Sequence, residues 1–260
     1  MTNFSTKYFL EQRLPELTGF PVITKYIEGL STEADDYPVR INKNLLKELL
    51  QIEHEKFHAI RGESNINADT GEVMALLSNY LKCTCYGGLE CLTVGLPGSG
   101  KTTFVKKYFP EELIFNYDKE CAEAYEREKD WVNGGLYYKR SVELSLRCIL
   151  REKSVVIDSP AVTPKDRELR GEHKGRFCII FDTGVETCYN RMRKRHKEGG
   201  TQVFELSDLV NFLLMLEFPV SKELKPLEFS TAFIIDSNGK LSKIYPLNYF
   251  NERFNVNYSL

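Results

Sequence analysis

"LTVGLPGSGKTTF", residues 92–104, decides the fold. An apolar run stops at three glycines and a proline, and a lysine with two threonines follows at once. The spacing from Gly95 to Gly100, Lys101 and Thr102 fits G-x-x-x-x-G-K-[ST]. Residues 89–94 predict a short buried strand, and residues 102–108 predict the first turns of a helix. That strand–loop–helix context is what a phosphate-binding loop requires, and an ordinary glycine turn would not reproduce it together with the motif. The glycines let backbone N–H groups turn inward onto an anion, and the helix start adds its positive dipole end. Gly95, Pro97, Gly98, Ser99, Gly100, Lys101, Thr102 and Thr103 are thus the expected nucleotide-binding residues. Lys101 is expected to reach the β- and γ-phosphates of ATP, and Thr102 to hold Mg²⁺.

The chain around this loop is that of a soluble globular protein. It has 260 residues, 42% hydrophobic and 28% charged, enough for one large domain or a domain with an extension. The net charge of −2 excludes a global pull towards nucleic acid or membrane, so any basic site is local. No apolar run approaches membrane-spanning length, and the N-terminus lacks the basic-then-apolar order of a signal peptide. Seven cysteines without regular spacing indicate reduced thiols and a cytoplasmic setting, the host cytoplasm for a viral protein. Cys83, Cys85 and Cys91 cluster but lack a second pair at zinc spacing, so they read as small residues near a buried strand.

Before the loop, residues 1–86 are mainly helical in pattern and are expected to form an N-terminal extension. "NKNLLKELLQIEHEKFHAI" and "EVMALLSNYLKC" have helical apolar spacing, with a polar loop between them. From residue 87 to 260 the pattern alternates. "CLTVG", "LIFNYD", "SVVIDS", "FCIIFDT" and "AFIIDS" are strand-like, and the helix "YYKRSVELSLRCILREK" separates the second from the third. This predicts an α/β fold with a parallel sheet flanked by helices. Ligands of such sheets sit at the carboxyl ends of the strands.

Four of these runs end in aspartate. Asp118 is placed to accept a proton from an acceptor hydroxyl, and Asp158 to join the Mg²⁺ shell or position substrate. Asp182, before "TGVET", reads as a helix cap completed by Glu186. Asp236, before "SNG", reads as a hairpin turn. "CYNRMRKRHKEGG", residues 188–200, carries five basic residues. Arg191 and Arg195 are four apart on one helical face, and two glycines end the segment. It reads as a lid near 188–204 whose arginines clamp phosphate oxygens and whose glycines hinge.

The order of the phosphate-binding loop, Asp118, Asp158 and the Arg191/Arg195 pair resembles the kinase domain of the phage-type polynucleotide 5′-hydroxyl kinases, within the wider P-loop kinases. The resemblance spans roughly residues 89–204. It implies that Asp118 in "FNYDKE" is the general base. It also implies that "IDSPAVTPKDR" presents Asp158 and Arg167 to the substrate, and that Arg191, Arg195, Gly200 and Thr201 belong to the lid. Two positions depart from that pattern: Cys121 stands where the family has an arginine, and Ser159, Pro160 and Ala161 replace a loop with an asparagine. Both bear on acceptor recognition. The implied acceptor is therefore a hydroxyl of DNA or RNA, either a 5′ end or a hydroxymethylated base of the kind phosphorylated in phage DNA modification. Tyr117, Tyr125 and Trp131 could stack a base, although they fit a core equally well.

Two other classes stay open, a kinase of a nucleoside or other small metabolite and a P-loop ATPase or nucleotide-gated binding module. The acidic balance favours a small acceptor, whereas a polynucleotide enzyme needs only a local basic channel. "HEKFH", residues 54–58, also matches the zinc-protease pattern H-E-x-x-H. No third ligand follows at a recognisable distance, with the next histidine at His173, and Phe57 and Ile60 occupy the apolar face of the same helix. The match reads as chance in a charged amphipathic helix.

Overall fold

The computed structural model describes residues 19–29, 43–61, 66–83, 88–128, 137–168, 176–198, 206–220 and 229–259. Three helices precede the sheet among the described residues: α1 (Pro21–Gly29), α2 (Lys43–Phe57) and α3 (Thr70–Cys83). Then come β1 (Glu90–Val94), α4 (Lys101–Tyr108), β2 (Ile114–Asn116), α5 (Tyr117–Glu128), α6 (Tyr137–Glu152), β3 (Val155–Asp158) and α7 (Pro164–Glu168). The chain closes with β4 (Phe177–Asp182), α8 (Val185–Lys197), α9 (Leu206–Met215), β5 (Thr231–Asp236), β6 (Leu241–Tyr245) and α10 (Leu247–Phe254).

The sheet has six strands in the order β2-β3-β1-β4-β5-β6. The first five are parallel, as their unbroken apolar character requires, and each residue of β1 and β3 is buried. β6 is antiparallel to β5 and makes the sheet mixed. It follows from the turn at residues 236–239. Asp236 Oδ1 accepts from the amides of Asn238 and Lys240, at 2.9 and 2.8 Å, and Gly239 has φ +79°. Asp236 is thus a turn residue, as the sequence indicates.

Two apolar clusters cover the two faces, and helices that precede β1 enter both. Leu45, Leu49, Ile52 and Phe57 of α2 pack with Val94, Ile157 and Ile180 on one face. Val73, Met74, Leu77 and Leu81 of α3 pack with Phe104, Phe177 and Phe233 on the other. Asp69 caps α3 by accepting from the amide of Glu72 at 3.0 Å. No disulfide joins any of the described cysteines. No helix among the described residues is long and apolar enough to cross a membrane. Cys85, Trp131, His173, Gly200 and Thr201 lie outside the described residues, as does most of the segment following Lys197 in the expected lid.

Candidate active site

The site forms where β1, β3 and β2 end. β1 runs into residues 95–100, which turn sharply before α4. Gly98 has φ +79°, and a Cβ there would come within 2.6 Å of the Cys188 carbonyl oxygen. Glycine is thus required at this position by both conformation and space, and the loop lies directly against α8. The Lys101 ammonium is buried and donates to the carbonyls of Gly95 (3.0 Å) and Leu96 (2.7 Å) and to Ser99 Oγ (3.3 Å). Burial pushes it down to about 8, opposed by Cys188, Asp158 and Asp118 and reinforced by Arg195.

The loop after β3 is tied to β1 across the sheet. Ser159 donates its amide to Thr93 Oγ1 at 3.0 Å, Thr93 Oγ1 donates back to the Ser159 carbonyl at 2.8 Å, and the Gly95 amide donates to the Pro160 carbonyl at 3.1 Å. Ala161 sits in the left-handed region at φ +43°, a strained conformation for alanine. Asp158 is 4% exposed; the Thr102 hydroxyl and Asn116 Nδ2 (3.1 Å) both donate to it. Desolvation raises its carboxyl above the usual range, and the Thr102 bond and the Lys101 charge oppose that shift.

Asp118 does not end a strand. β2 stops at Asn116, whose Oδ1 accepts from the Lys119 amide at 2.9 Å and so caps α5. Asp118 therefore stands in the first turn of α5. It still reaches the site: one narrow cleft of about 40 Å³ is lined by Lys101, Thr102, Asp118, Asp158, Ser159 and Arg195, among others. The Ser159 hydroxyl beside it is buried and has no hydrogen-bond partner among the described residues.

Arg191 and Arg195 lie on α8. Arg191 donates to the carbonyls of Ser99 (3.1 Å), Gly98 (3.4 Å) and Ser237 (2.6 Å), linking the loop to the β5–β6 turn. A larger cavity, about 470 Å³, opens between them and is lined by Phe104, Tyr108, Phe181, Arg191, Arg195 and Asn238, among others.

Arg167 takes a different place from the one expected. It is 1% exposed and donates to the carbonyls of Ala161 (3.0 Å) and Glu217 (2.9 Å). Buried under the β3 loop, it braces the strained Ala161 and does not line the cleft. Asp182 is not a cap either: it accepts from Arg61 Nε at 2.9 Å, and Glu186 is exposed. The start of α8 is capped instead by Glu53, whose carboxylate accepts from the Val185 amide. The signal in the sequence is phase: Glu53 falls on the buried face of α2 with Leu49, Ile52 and Phe57. His54, Glu55 and His58 of the zinc-like motif are exposed, and no cluster of metal-ligating side chains occurs among the described residues. Tyr117 packs against the core and Tyr125 is exposed.

Residues 91–210 match a family profile described as an AAA domain. No curated protein matches the sequence. Solved structures similar to the chain include a gluconokinase from Sinorhizobium meliloti 1021, with 17% identity over 59% of this chain and 85% of that one, and a TM-score of 0.38. A sugar kinase from Janibacter sp. HTCC2649 gives 18% over 65% and 93%, with a TM-score of 0.41. The Pnkp1/Rnl/Hen1 RNA repair complex gives 19% over 51% and 45%, with a TM-score of 0.38. The matched residues take in the phosphate-binding loop and run from β1 into α9.

Proposed function

We propose that this protein is a Mg²⁺/ATP-dependent kinase that transfers the γ-phosphate to a hydroxyl of nucleic acid, a 5′ end or a hydroxymethylated base. The observation that carries the reading is the single cleft shared by Lys101, Thr102, Asp118, Asp158 and Arg195. A module that only binds ATP has no need of a carboxylate at Asp118 in the same cleft as the lysine, and one that hydrolyses ATP would use it on water. A kinase needs one to receive the acceptor proton.

Each side chain then has one task. Lys101 neutralises phosphate charge, and Arg191 and Arg195 donate to phosphoryl oxygens as charge develops. Thr102 and Asp158 would hold Mg²⁺. Two hard oxygen donors suit this ion, which takes few protein ligands, and a dication offsets the cost of the buried Asp158 carboxylate. The chemistry such an ion would supply there is neutralisation of charge on the phosphate oxygens. The larger cavity suits the nucleoside, with apolar walls from Phe104, Tyr108 and Phe181 and polar groups at Ser237 and Asn238. Arg167 shapes the loop after β3 and does not touch the acceptor.

A local basic strip supports the nucleic-acid acceptor. α6 exposes Lys139, Arg140, Arg147 and Arg151, and it packs against α5, the helix whose first turn holds Asp118. Phosphate contacts from such a strip supply sequence-independent affinity despite the acidic balance of the whole chain.

The test is a panel with ATP labelled in the γ-phosphate. It contains 5′-hydroxyl DNA and RNA, DNA with hydroxymethylated bases, and free nucleosides. Label on the polynucleotides is expected, and it should vanish with Asp118→Asn or Lys101→Ala while the fold is kept. Label only on nucleosides would replace the acceptor assignment, and label only as free phosphate would leave an ATPase.

A further inference from the structure

We propose that Glu53, in the N-terminal extension, is a positioning residue of the transfer site. It fixes the start of α8 and, through that helix, holds Arg191 and Arg195 against the phosphate-binding loop. The proposal rests on the kinase reading for its effect on turnover.

α8 has no cap of its own. Its N-cap residue is Gly184, which offers no side chain. Asp182 is engaged by Arg61, and Glu186 is exposed. The free amide at the helix start is taken from 132 residues away, by Glu53. The Glu53 side chain is only 6% exposed, so solvent does little to screen its attraction for the positive end of the helix. Gly184 makes room for it: a Cβ there would lie 3.2 Å from Glu53 Oε1. Arg61 donates to Glu53 at 2.7 Å and to Asp182 at 2.9 Å, so the buried charge is paired and β4, α2 and the start of α8 are joined in one network.

The post that carries Glu53 is itself fixed. Lys56 Nζ donates to the Leu216 carbonyl at 3.0 Å, and Phe57 packs edge-on to Phe218 at 4.9 Å. Beyond the capped end, α8 runs without interruption to the loop contacts. Cys188 and Met192 abut Gly98, and Arg191 grips Gly98 and Ser99. Arg191 is six residues, roughly 9 Å along the axis, from Val185. A shift at the capped end is therefore delivered to the arginines with no flexible joint in between. A displacement of that kind is costly in a transfer reaction, because misplacing a catalytic group by about 1 Å can cost about 100-fold in rate.

The test is a cycle of Glu53→Ala, the pair Arg191→Ala with Arg195→Ala, and all three together. It is read with γ-labelled ATP and the acceptor from the panel above, and with hydrogen exchange of the backbone. Glu53→Ala is expected to lower turnover about tenfold or more while the KM for ATP stays within about twofold. The triple variant should be no slower than the arginine pair, because Glu53 acts through them. Glu53→Gln keeps an acceptor for the Val185 amide and should recover part of the rate. Should Glu53→Ala not fold, Gly184→Ala disturbs the same contact from the helix side at a φ of −61°, which alanine tolerates. Exchange should quicken in residues 185–197 and in the loop 95–101, with the sheet unchanged. Additive loss in the triple variant, or exchange that quickens at α8 without reaching the loop, would overturn the proposal. A wild-type protein that transfers no label to any acceptor defeats the kinase reading instead, and the exchange result still decides the positioning role.

Discussion

α2 and α8 are both charged amphipathic helices, and they pack against each other. Each carries a motif that suggests chemistry, H-E-x-x-H on one and two arginines four apart on the other. The fold treats them in opposite ways. α8 directs Arg191 and Arg195 at the phosphate-binding loop and the two cavities beside it. α2 turns His54, Glu55 and His58 to solvent and buries Glu53, the charged residue just outside its motif. A charged side chain is informative when the helix phase buries it, because burial must be repaid by a partner. A motif on the solvent face has no such requirement.

The contrast is sharpened most by Arg195→Ala. Arg195 lines both cavities, so its loss should lower turnover by about 10²–10³ with a much smaller change in ATP binding, read by steady-state kinetics and nucleotide titration. Equal losses in turnover and affinity would make α8 a ground-state binding surface and remove its difference in kind from α2.

That difference also marks how far the sequence could be read. The phosphate-binding loop was legible because its spacing and its flanking strand and helix are local. The five parallel strands were legible because burial on both faces leaves continuous apolar runs. Asp118 reads as a strand end but lies in the first turn of α5, because β2 stops at Asn116, which caps that helix. Arg167 matched a motif but lies under the loop, since its partners are carbonyls that no pattern encodes. Glu53 was missed because its partner is 132 residues away, and the only local sign was a carboxylate in an apolar phase.

A pH experiment compares the loop with its surroundings. Burial holds the Lys101 ammonium at about 8, below its ordinary 10.5. Above about pH 8 the folded protein has released a proton that the unfolded chain keeps until near 10.5. The unfolded chain then binds more protons, so stability without nucleotide should rise with pH across that window. Lys101→Met should flatten the rise in denaturant unfolding. Affinity for ADP should fall over the same window as the ammonium is lost. Parallel slopes in the wild type and the variant would remove Lys101 as the source.

Ser159→Ala asks whether a polar group in the cleft costs the fold stability. Its hydroxyl is buried without a partner among the described residues, and such groups cost about 1–3 kcal/mol. The alanine variant should therefore be as stable as the wild type, or more stable by up to about 1 kcal/mol, in chemical denaturation. A clear loss would mean that the hydroxyl has a structural partner, and would weaken the separation between cleft and scaffold.

The smallest effect is expected from the most motif-like residues of the extension. His54→Ala and His58→Ala remove both imidazoles of H-E-x-x-H. Both side chains are exposed, and among the described residues no cluster of potential ligands surrounds them. Exposed substitutions of this kind usually change stability by less than about 0.5 kcal/mol. Turnover, thermal stability and metal content should all match the wild type, while Glu53→Ala, one residue before His54, lowers turnover through α8. Metal analysis of the purified protein is the decisive measurement. Zinc bound in stoichiometric amount and lost with either substitution would return the motif to chemistry. It would also reverse the contrast between the two helices, making α2 a catalytic face in its own right.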